Sequence, residues 1–264
     1  MNNLKRIHLF EFHDLPWFPQ WMRRCITRLI IVMHNLMRSH EQLAELVSKA
    51  LQHSSHKKVI DLCSGSGGPM LKAHNLLKEK SQKDSVELLL TDLYPDKQLA
   101  EKLAHSDSPS GISYLTKPVD AANVDPSQKG VRTMVGSFHH MKPETARSIL
   151  EDAKENHQPI CIFEISDNSA PIFLWWIALP INFIMALFIT PLVRPLRWEQ
   201  IVFTYIIPII PLCFAWDGAV SNARTYTLND MDELLRGLEA DDYKWEKGEI
   251  KGKTTKLYLL GLPV

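Results

Sequence analysis

Residues 57–70 read KKVIDLCSGSGGPM, and this stretch decides the fold of the 264-residue chain. The apolar run around Val59 and Ile60 indicates a buried strand, and three glycines follow it within four positions. Glycine is needed where φ turns positive or where a ligand must approach the backbone closely. Pro69 suits the first position of a helix, because its missing N–H costs nothing there. The stretch therefore predicts a strand, a tight turn and a helix, with Asp61 and free N–H groups facing a polar nucleoside ligand.

The composition is that of an ordinary globular protein, with 45% apolar and 23% charged residues. The length allows one large domain, or one domain with an elaborate insertion. A formal net charge of zero gives no indication of a nucleic-acid partner. The first residues mix charges without the apolar core of a signal peptide, so we expect a cytoplasmic protein. No pair of cysteines has CxxC spacing, which favours buried free thiols over disulfides or a metal site for Cys25, Cys63, Cys161 and Cys213.

Strand and helix patterns alternate after residue 57. Short apolar runs predict strands at 59–62, 86–91, 112–115, 131–136 and 159–165, separated by helical patterns. A late helix with Thr227 as its N-cap is followed by strand patterns at 243–250 and 256–260, joined by a turn. The pattern predicts an α/β fold with a seven-stranded, mostly parallel, doubly wound sheet. Ligands lie beyond the carboxyl ends of the strands in such sheets, where the sequence places Asp61, Asp92, Asp120 and His139.

This order of elements, with the glycine turn and the closing hairpin, resembles the class I S-adenosylmethionine-dependent methyltransferases, whose fold is Rossmann-like. The resemblance covers roughly residues 57–167 and 225–264. Residues 59–68 are similar to the family's first motif, and Asp92 is similar to its second, where an acid accepts hydrogen bonds from the ribose hydroxyls. The pair Asp120-Ala121 is similar to the one that meets the adenine amino group. The resemblance implies methyl transfer, S-adenosyl-L-methionine as cofactor, and a binding site formed by Asp61, Cys63, Gly65, Ser66, Gly67, Asp92, Leu93, Asp120, Ala121 and Ser137.

The chemistry of the turn agrees with such a cofactor. S-adenosylmethionine carries a sulfonium, an amine and a carboxylate, so it needs no phosphate cradle. A nicotinamide dinucleotide would favour the spacing G-x-G-x-x-G. Counting from Gly65, the third glycine position falls on Met70, which argues against a dinucleotide. Asp92 could instead cap the helix after its strand.

Residues 136–141 lie where the fourth strand of this family meets the methyl-transfer pocket. His139 and His140 are candidates for a catalytic base if the acceptor must lose a proton. Consecutive residues point in different directions, so we expect at most one of the two to reach the substrate. Glu164 lies at the end of the fifth strand, where it could orient a substrate hydroxyl or amine, or pair with an arginine.

An apolar segment occupies residues 168–224. It has no charged residue over 168–193 or 200–216, and the residues between them include Arg194, Arg197 and Trp198. Three interpretations are open. The first is a transmembrane hairpin, although its short second half carries two prolines. The second is an interfacial element with tryptophans and arginines at headgroup level. The third is an apolar cap over the active site or in a dimer.

The predicted organisation is an N-terminal helical segment or lid at 1–56, a methyltransferase core at 57–167 and 225–264, and the apolar insertion at 168–224. Asp217 and Arg224 are seven residues apart, so on one helix they would share a face, either pairing or lining the pocket mouth. The predicted function is methyl transfer to a small apolar or lipid-like acceptor, at a possible membrane surface. A different class remains open, namely a membrane-associated binding or scaffold protein that keeps the fold without catalysis.

Overall fold

The computed structural model describes residues 4–80, 86–104, 111–168, 175–252 and 254–264. Within them one seven-stranded sheet has the order β3-β2-β1-β4-β5-β7-β6. Strands β1 to β5 pair in parallel, and β7 pairs antiparallel with both β5 and β6. The strands are β1 (Lys58–Asp61), β2 (Glu87–Leu90), β3 (Ile112–Tyr114), β4 (Val131–Val135), β5 (Ile160–Glu164), β6 (Tyr243–Ile250) and β7 (Lys256–Pro263). The predicted fold class is confirmed.

The helices lie on both faces of this sheet and in an apolar group beside it. They are α1 (Gln20–Leu36), α2 (Ser39–Leu51), α3 (Met70–Lys80), α4 (Lys97–Ala104), α5 (Pro143–Glu155), α6 (Trp175–Ile189), α7 (Trp198–Ile201), α8 (Ile209–Arg224) and α9 (Leu228–Leu235). Short 3₁₀ turns at Phe12–Asp14, Phe138–His140 and Thr190–Leu192, and a π-helical turn at Val202–Ile206, connect them.

Two hydrophobic clusters hold the helices against the sheet. On one face Leu43 of α2 and Ala73 of α3 pack on buried strand residues. On the other, Ile149 of α5 and Leu234 of α9 do the same. All five residues of β5 are buried. Helices on both faces explain why the parallel strands are continuous apolar runs rather than alternating ones.

The element boundaries follow local signals in the sequence. Thr227 caps α9 as predicted: its side chain accepts the Asp230 N–H at 3.2 Å, and the Asp230 carboxylate accepts the Thr227 N–H at 2.9 Å. Helix α3 begins at Met70, so Pro69 lies just before its first residue rather than at it. Such one-residue differences are usual at helix ends.

A third hydrophobic cluster joins α1 to the apolar segment. Met22, Ile26 and Leu29 of α1 pack on side chains of α6 and α8 that include Ala186 and Phe214. Residues 169–174, at the start of the predicted apolar insertion (168–224), lie outside the described residues.

Among the described residues, no single helix has the length and apolar composition needed to cross a membrane. The segments Trp198–Ile206 and Ile209–Arg224 meet that requirement only when taken together, by length and composition alone, and they are bent by 82°.

Candidate functional site

The glycine turn and the acid after β2 are in direct contact. The Gly65 N–H donates to Asp92 Oδ2 at 2.9 Å, and the Tyr94 N–H donates to Asp92 Oδ1 at 2.9 Å. The Ser64 N–H and hydroxyl both donate to the Thr91 carbonyl, each at 2.9 Å. Because β1 and β2 are parallel neighbours, these groups meet at one edge of the sheet.

The turn requires glycine at two positions for different reasons. Gly65 has φ +51°, and a Cβ added there would meet no atom within 4 Å, so it borders open space. Gly67 has φ +81°, and a Cβ there would come within 2.9 Å of the Leu71 side chain. Positive φ is strained for other residues. The turn therefore exposes its backbone to a ligand at Gly65 and packs on its own helix at Gly67.

Three carboxyl groups act electrostatically on the thiol of Cys63. Burial raises the pKa of Cys63 to about 12, with Asp92, Asp61 and Asp120 adding to the shift. Burial also raises the pKa of Asp61 to about 7, although its carboxylate accepts the Thr133 hydroxyl at 2.6 Å. The thiol is therefore neutral near pH 7.

The other predicted binding residues differ in how far their side chains are exposed. Asp120 is exposed, and its Oδ1 accepts the Ala122 N–H at 2.9 Å. Ala121 is buried in the core, so a ligand could reach only its backbone. Leu93 is exposed beside Asp92.

Two serines of the predicted site lie on different strand ends. Ser66, in the turn after β1, is half-buried. Ser137 follows β4 and is buried, and its Oγ has no hydrogen-bond partner among the described residues.

His139 is held rigidly by Glu164. It lies in the 3₁₀ turn after β4, and Glu164 ends β5, the neighbouring strand. Glu164 Oε2 is 2.9 Å from His139 Nδ1, and Glu164 Oε1 accepts the His139 N–H at 3.1 Å. His139 Nε2 has no hydrogen-bond partner in the described part of the chain, and the nearest acid, Glu11, has Oε1 3.9 Å away. Glu164 therefore pairs with a histidine, not with the arginine considered from the sequence.

The pair has opposite pKa shifts. Burial lowers the pKa of His139, but the Glu164 carboxylate outweighs it, so the pKa of His139 lies above its ordinary value. Burial raises the pKa of Glu164, but His139 outweighs it, and the pKa of Glu164 is lowered. The imidazole is therefore a stronger base than a free histidine.

His140 is engaged differently from its neighbour. Its Nδ1 is 3.0 Å from Asp14 Oδ1, and its ring lies beside that of His139, with the centroids 4.2 Å apart. His140 is half-buried, whereas His139 is buried. Of the two candidate bases, His139 is the more buried, and Glu164 contacts both its ring Nδ1 and its backbone N–H.

The N-terminal segment covers this turn through buried charges. Arg224 Nη1 donates to Glu11 Oε1 at 2.8 Å and to Asp14 Oδ2 at 2.6 Å. Asp217 accepts the N–H groups of Phe12 at 2.7 Å and His13 at 3.2 Å. Burial raises the pKa of Asp217 to about 7. Asp217 and Arg224 do not pair with each other, as one prediction had it, because each separately binds the N-terminal segment. That they line the mouth of a pocket stays a prediction.

Arg6 extends this network to the Phe138–His140 turn. Its Nη2 donates to the His139 carbonyl at 2.7 Å, and its Nε donates to the Arg224 carbonyl at 2.8 Å. Its guanidinium lies 4.3 Å from the centroid of the Tyr226 ring. Sequence reasoning missed Arg6, Glu11 and Asp14. One available signal was the acid between two aromatics at Phe10-Glu11-Phe12, since a charge in an apolar setting needs a buried partner.

Glu11, His139 and His140 have ligand atoms within 4.8 Å of one another. Spacing alone would suit a cation. However, Arg224 already donates to Glu11 and places a fixed positive charge there. The cluster is therefore better described as a charge network that closes the site.

No protein-family model matches the chain, and no curated protein matches it by sequence. It is similar to the solved structure of the plantazolicin methyltransferase BpumL in complex with SAH, with 9% identity and a TM-score of 0.48, covering 93% of this chain and 98% of that one. It is also similar to the structure of human N-acetylserotonin methyltransferase in complex with SAM, with 12% identity and a TM-score of 0.47. That match covers 89% of this chain and 55% of the other, so this chain spans about half of that protein.

The methyltransferase domain of bacterial CtHen1-C is similar at 12% identity and a TM-score of 0.49, covering 87% of this chain and 99% of that one. With these scores below 0.5, the strand order of the chain itself assigns the fold. The fold is Rossmann-like. Many of the solved structures that it resembles are S-adenosylmethionine-dependent methyltransferases.

The buried network predicts a large loss of stability for Arg224→Met. Arg224 and Glu11 are each 4% exposed, so the substitution leaves a buried carboxylate without its cation. We expect the free energy of unfolding to fall by about 3–5 kcal/mol, measured by urea denaturation. The matched control is Arg236→Met, because Arg236 also pairs with a glutamate but is 75% exposed. Its effect should stay below about 1 kcal/mol. Equal effects of the two substitutions would contradict the role given to Arg224.

Proposed function

We propose that this chain is an S-adenosylmethionine-dependent methyltransferase that acts on a small apolar or lipid-like acceptor. The observation that carries the proposal is the 2.9 Å hydrogen bond from the Gly65 N–H to Asp92. It puts the turn after β1 and the acid after β2 within reach of a single ligand, at the edge where doubly wound sheets bind nucleosides.

The charge at this edge favours that cofactor over a phosphate-bearing one. Asp61, Asp92 and Asp120 all follow or end strands at this edge of the sheet, and all three add to the raised pKa of the Cys63 thiol. A pyrophosphate would be repelled by such a group of acids, whereas a sulfonium and an ammonium group would be attracted. The open space beside Gly65 fits a ligand that lies directly against the backbone.

We assign the parts of the cofactor as follows. Asp92 would accept hydrogen bonds from the ribose hydroxyls, and Asp120 with the backbone of Ala121 would meet the adenine. The Gly65 backbone and Asp61 would face the amino-acid end. When bound, the cofactor supplies an electrophilic methyl group, which passes to the acceptor as the sulfonium becomes a neutral thioether.

His139 is the base that this arrangement offers. An acceptor O–H or N–H placed at His139 Nε2 would give its proton to the imidazole, and Glu164 would stabilise the resulting imidazolium through Nδ1. The raised pKa of His139 strengthens it as a base, and its buried setting keeps water away from the transfer. Positioning the acceptor in line with the methyl group is the other contribution of the protein.

The proposal of an apolar acceptor rests on what borders the histidine turn. Helix α8 contacts both the Phe12–Asp14 turn and the Phe138–His140 turn. This helix belongs to the apolar segment, and its N-terminal half carries exposed Ile209 and Leu212. The C-terminal half of α8 binds the N-terminal segment through Asp217 and Arg224, so a substrate that reaches His139 along α8 would first pass the apolar side chains at the N-terminal end of this helix.

Calorimetry with Gly65→Ala tests the cofactor site. A methyl group at Gly65 would occupy the open space beside the backbone, so we expect the affinity for S-adenosylmethionine to fall at least about tenfold. The positive φ also predicts a loss of about 1 kcal/mol of stability.

The control is Gly237→Ala. Gly237 has φ +77° and comparable space, with its nearest neighbour 4.0 Å away, but it follows α9, far along the chain from the turn. It should lose similar stability and keep full affinity. No binding by the unsubstituted protein, or unchanged affinity in Gly65→Ala, would count against the proposed site.

The pairing of His139 with Glu164 predicts a shifted titration. In the unsubstituted protein, NMR should place the pKa of His139 above the ordinary value of about 6.5. In Glu164→Gln the burial of the ring is no longer opposed by that carboxylate, so the pKa should fall below its value in the unsubstituted protein. A base must be neutral, so any methyl transfer that uses His139 should rise with pH through the higher pKa and begin at lower pH in the variant.

His157 is the internal reference for this titration, because it is exposed and pairs with Asp242 instead. Its pKa should be the same in both proteins. A His139 titration that does not respond to Glu164→Gln would remove Glu164 from the proposed mechanism.

A further inference from the structure

Exposed apolar side chains are concentrated in one part of the described structure. Thirteen of its twenty exposed large hydrophobic residues lie within residues 177–212. We call these side chains the apolar surface: Ile177, Ile181, Ile184, Phe188, Leu192, Leu196, Trp198, Ile201, Tyr205, Ile206, Ile207, Ile209 and Leu212. Single exposed hydrophobic residues are ordinary, but a concentration of this size marks an interaction site.

Helix α6 shows that part of the apolar surface has no packing partner among the described residues. Its exposed residues Ile177, Ile181, Ile184 and Phe188 recur at helical spacing, so they share one face. Its other face is already used, because residues such as Ile189 are buried in the cluster with α1 and α8. The helix is apolar all round, and one side of it has no partner within the described chain.

The turns after α6 extend the same surface. Trp198 is 66% exposed, and the π-helical turn Val202–Ile206 carries exposed Tyr205 and Ile206. The Tyr205 hydroxyl donates to the Leu187 carbonyl of α6 at 2.7 Å, which ties this turn to the helix. Tryptophan and tyrosine are typical of the boundary between lipid and water.

Arginines lie beside the apolar surface. A small surface pocket is lined by Trp21, Arg24, Cys25, Arg28, Arg197 and Glu199. Helix α1 has three arginines and no acid, and residues 175–212 contain Arg194, Arg197 and the single acid Glu199. An apolar area flanked by cationic side chains is complementary to a membrane with anionic headgroups.

We propose that the apolar surface docks on one leaflet of an anionic lipid bilayer. The exposed face of α6 and the turns from Trp198 to Leu212 enter the boundary between headgroups and acyl chains, while Arg24, Arg28 and Arg197 bind lipid phosphates. The 82° bend between the α7 region and α8 suits an element that enters and leaves on one side. A partner of purely apolar character would not need the arginines. The proposal does not depend on methyl transfer, although it would bring lipid-like acceptors to the site.

Vesicle flotation with the full chain tests the proposal. The probes are vesicles of phosphatidylcholine alone and of phosphatidylcholine with 30% phosphatidylglycerol. We expect flotation with the anionic vesicles, weaker flotation with the neutral ones, and a reduction of the difference by salt. Phe188→Asp/Trp198→Asp should lower the partition coefficient at least about tenfold. Arg24→Gln/Arg197→Gln should lower the preference for anionic vesicles by roughly tenfold.

The control is Val264→Asp. Val264 is 69% exposed, comparable with Phe188 at 77%, but it follows β7 at the opposite edge of the sheet from the strand ends that carry the site. It should float like the unsubstituted protein. Sedimentation of every variant verifies that it is folded. Calorimetry with S-adenosylmethionine shows whether cofactor binding is unchanged, so that loss of membrane binding can be told apart from loss of the cofactor site. Protein that stays unbound to both vesicles, equal loss in Val264→Asp, or a lipid-free dimer that dissociates in Phe188→Asp/Trp198→Asp would overturn the proposal.

Discussion

The central position of β1 is the constraint on which the rest of the structure depends. β1 pairs in parallel with β2 on one side and with β4 on the other. The chain runs from β1 outward to β2 and β3, and then returns to add β4 and β5 on the opposite side of β1. A crevice forms where the connections diverge, beyond the carboxyl ends of these strands. The Gly65 turn, Asp92 and the His139 turn all follow strands that end there. Chemistry-bearing residues from distant parts of the sequence are thus brought to one edge by strand order alone.

The charged groups at that edge of the sheet differ between its two sides. On the β2 side, the contacts between described residues pair none of Asp61, Asp92 and Asp120 with a cationic side chain, which favours a cationic ligand. On the β5 side, Glu164 raises the basicity of His139, and Arg224 compensates Glu11 and Asp14 above it. The two sides therefore differ in chemistry: one presents carboxyl groups suited to a positive cofactor, and the other holds the buried imidazole that we propose as the base.

The sequence predicted the elements well because their signals are local. Apolar runs and the Thr227–Asp230 cap act within a few residues, and the structure has the predicted N-cap at Thr227. The glycine turn was predictable for the same reason, since positive φ and a tight strand-to-helix connection leave few alternatives to glycine.

The closing network was not predictable in this way. Arg224 and Glu11 are separated by 213 positions, and nothing in their neighbourhoods specifies the pairing. Glu164 was expected at the site, but its partner depends on how β4 and β5 align. The aromatic segment before α1 does pack by its side chains, with Phe10 against Trp216 of α8, but nothing local in the sequence indicates its polar attachment to Asp217 and Arg224.

A crystal structure with S-adenosylhomocysteine tests the central claim most directly. The account predicts the homocysteine part against the Gly65 backbone, the ribose hydroxyls on Asp92, and the sulfur directed toward the side of the crevice that holds His139. A ligand bound elsewhere on the sheet, or one whose sulfur points away from the His139 turn, would contradict it.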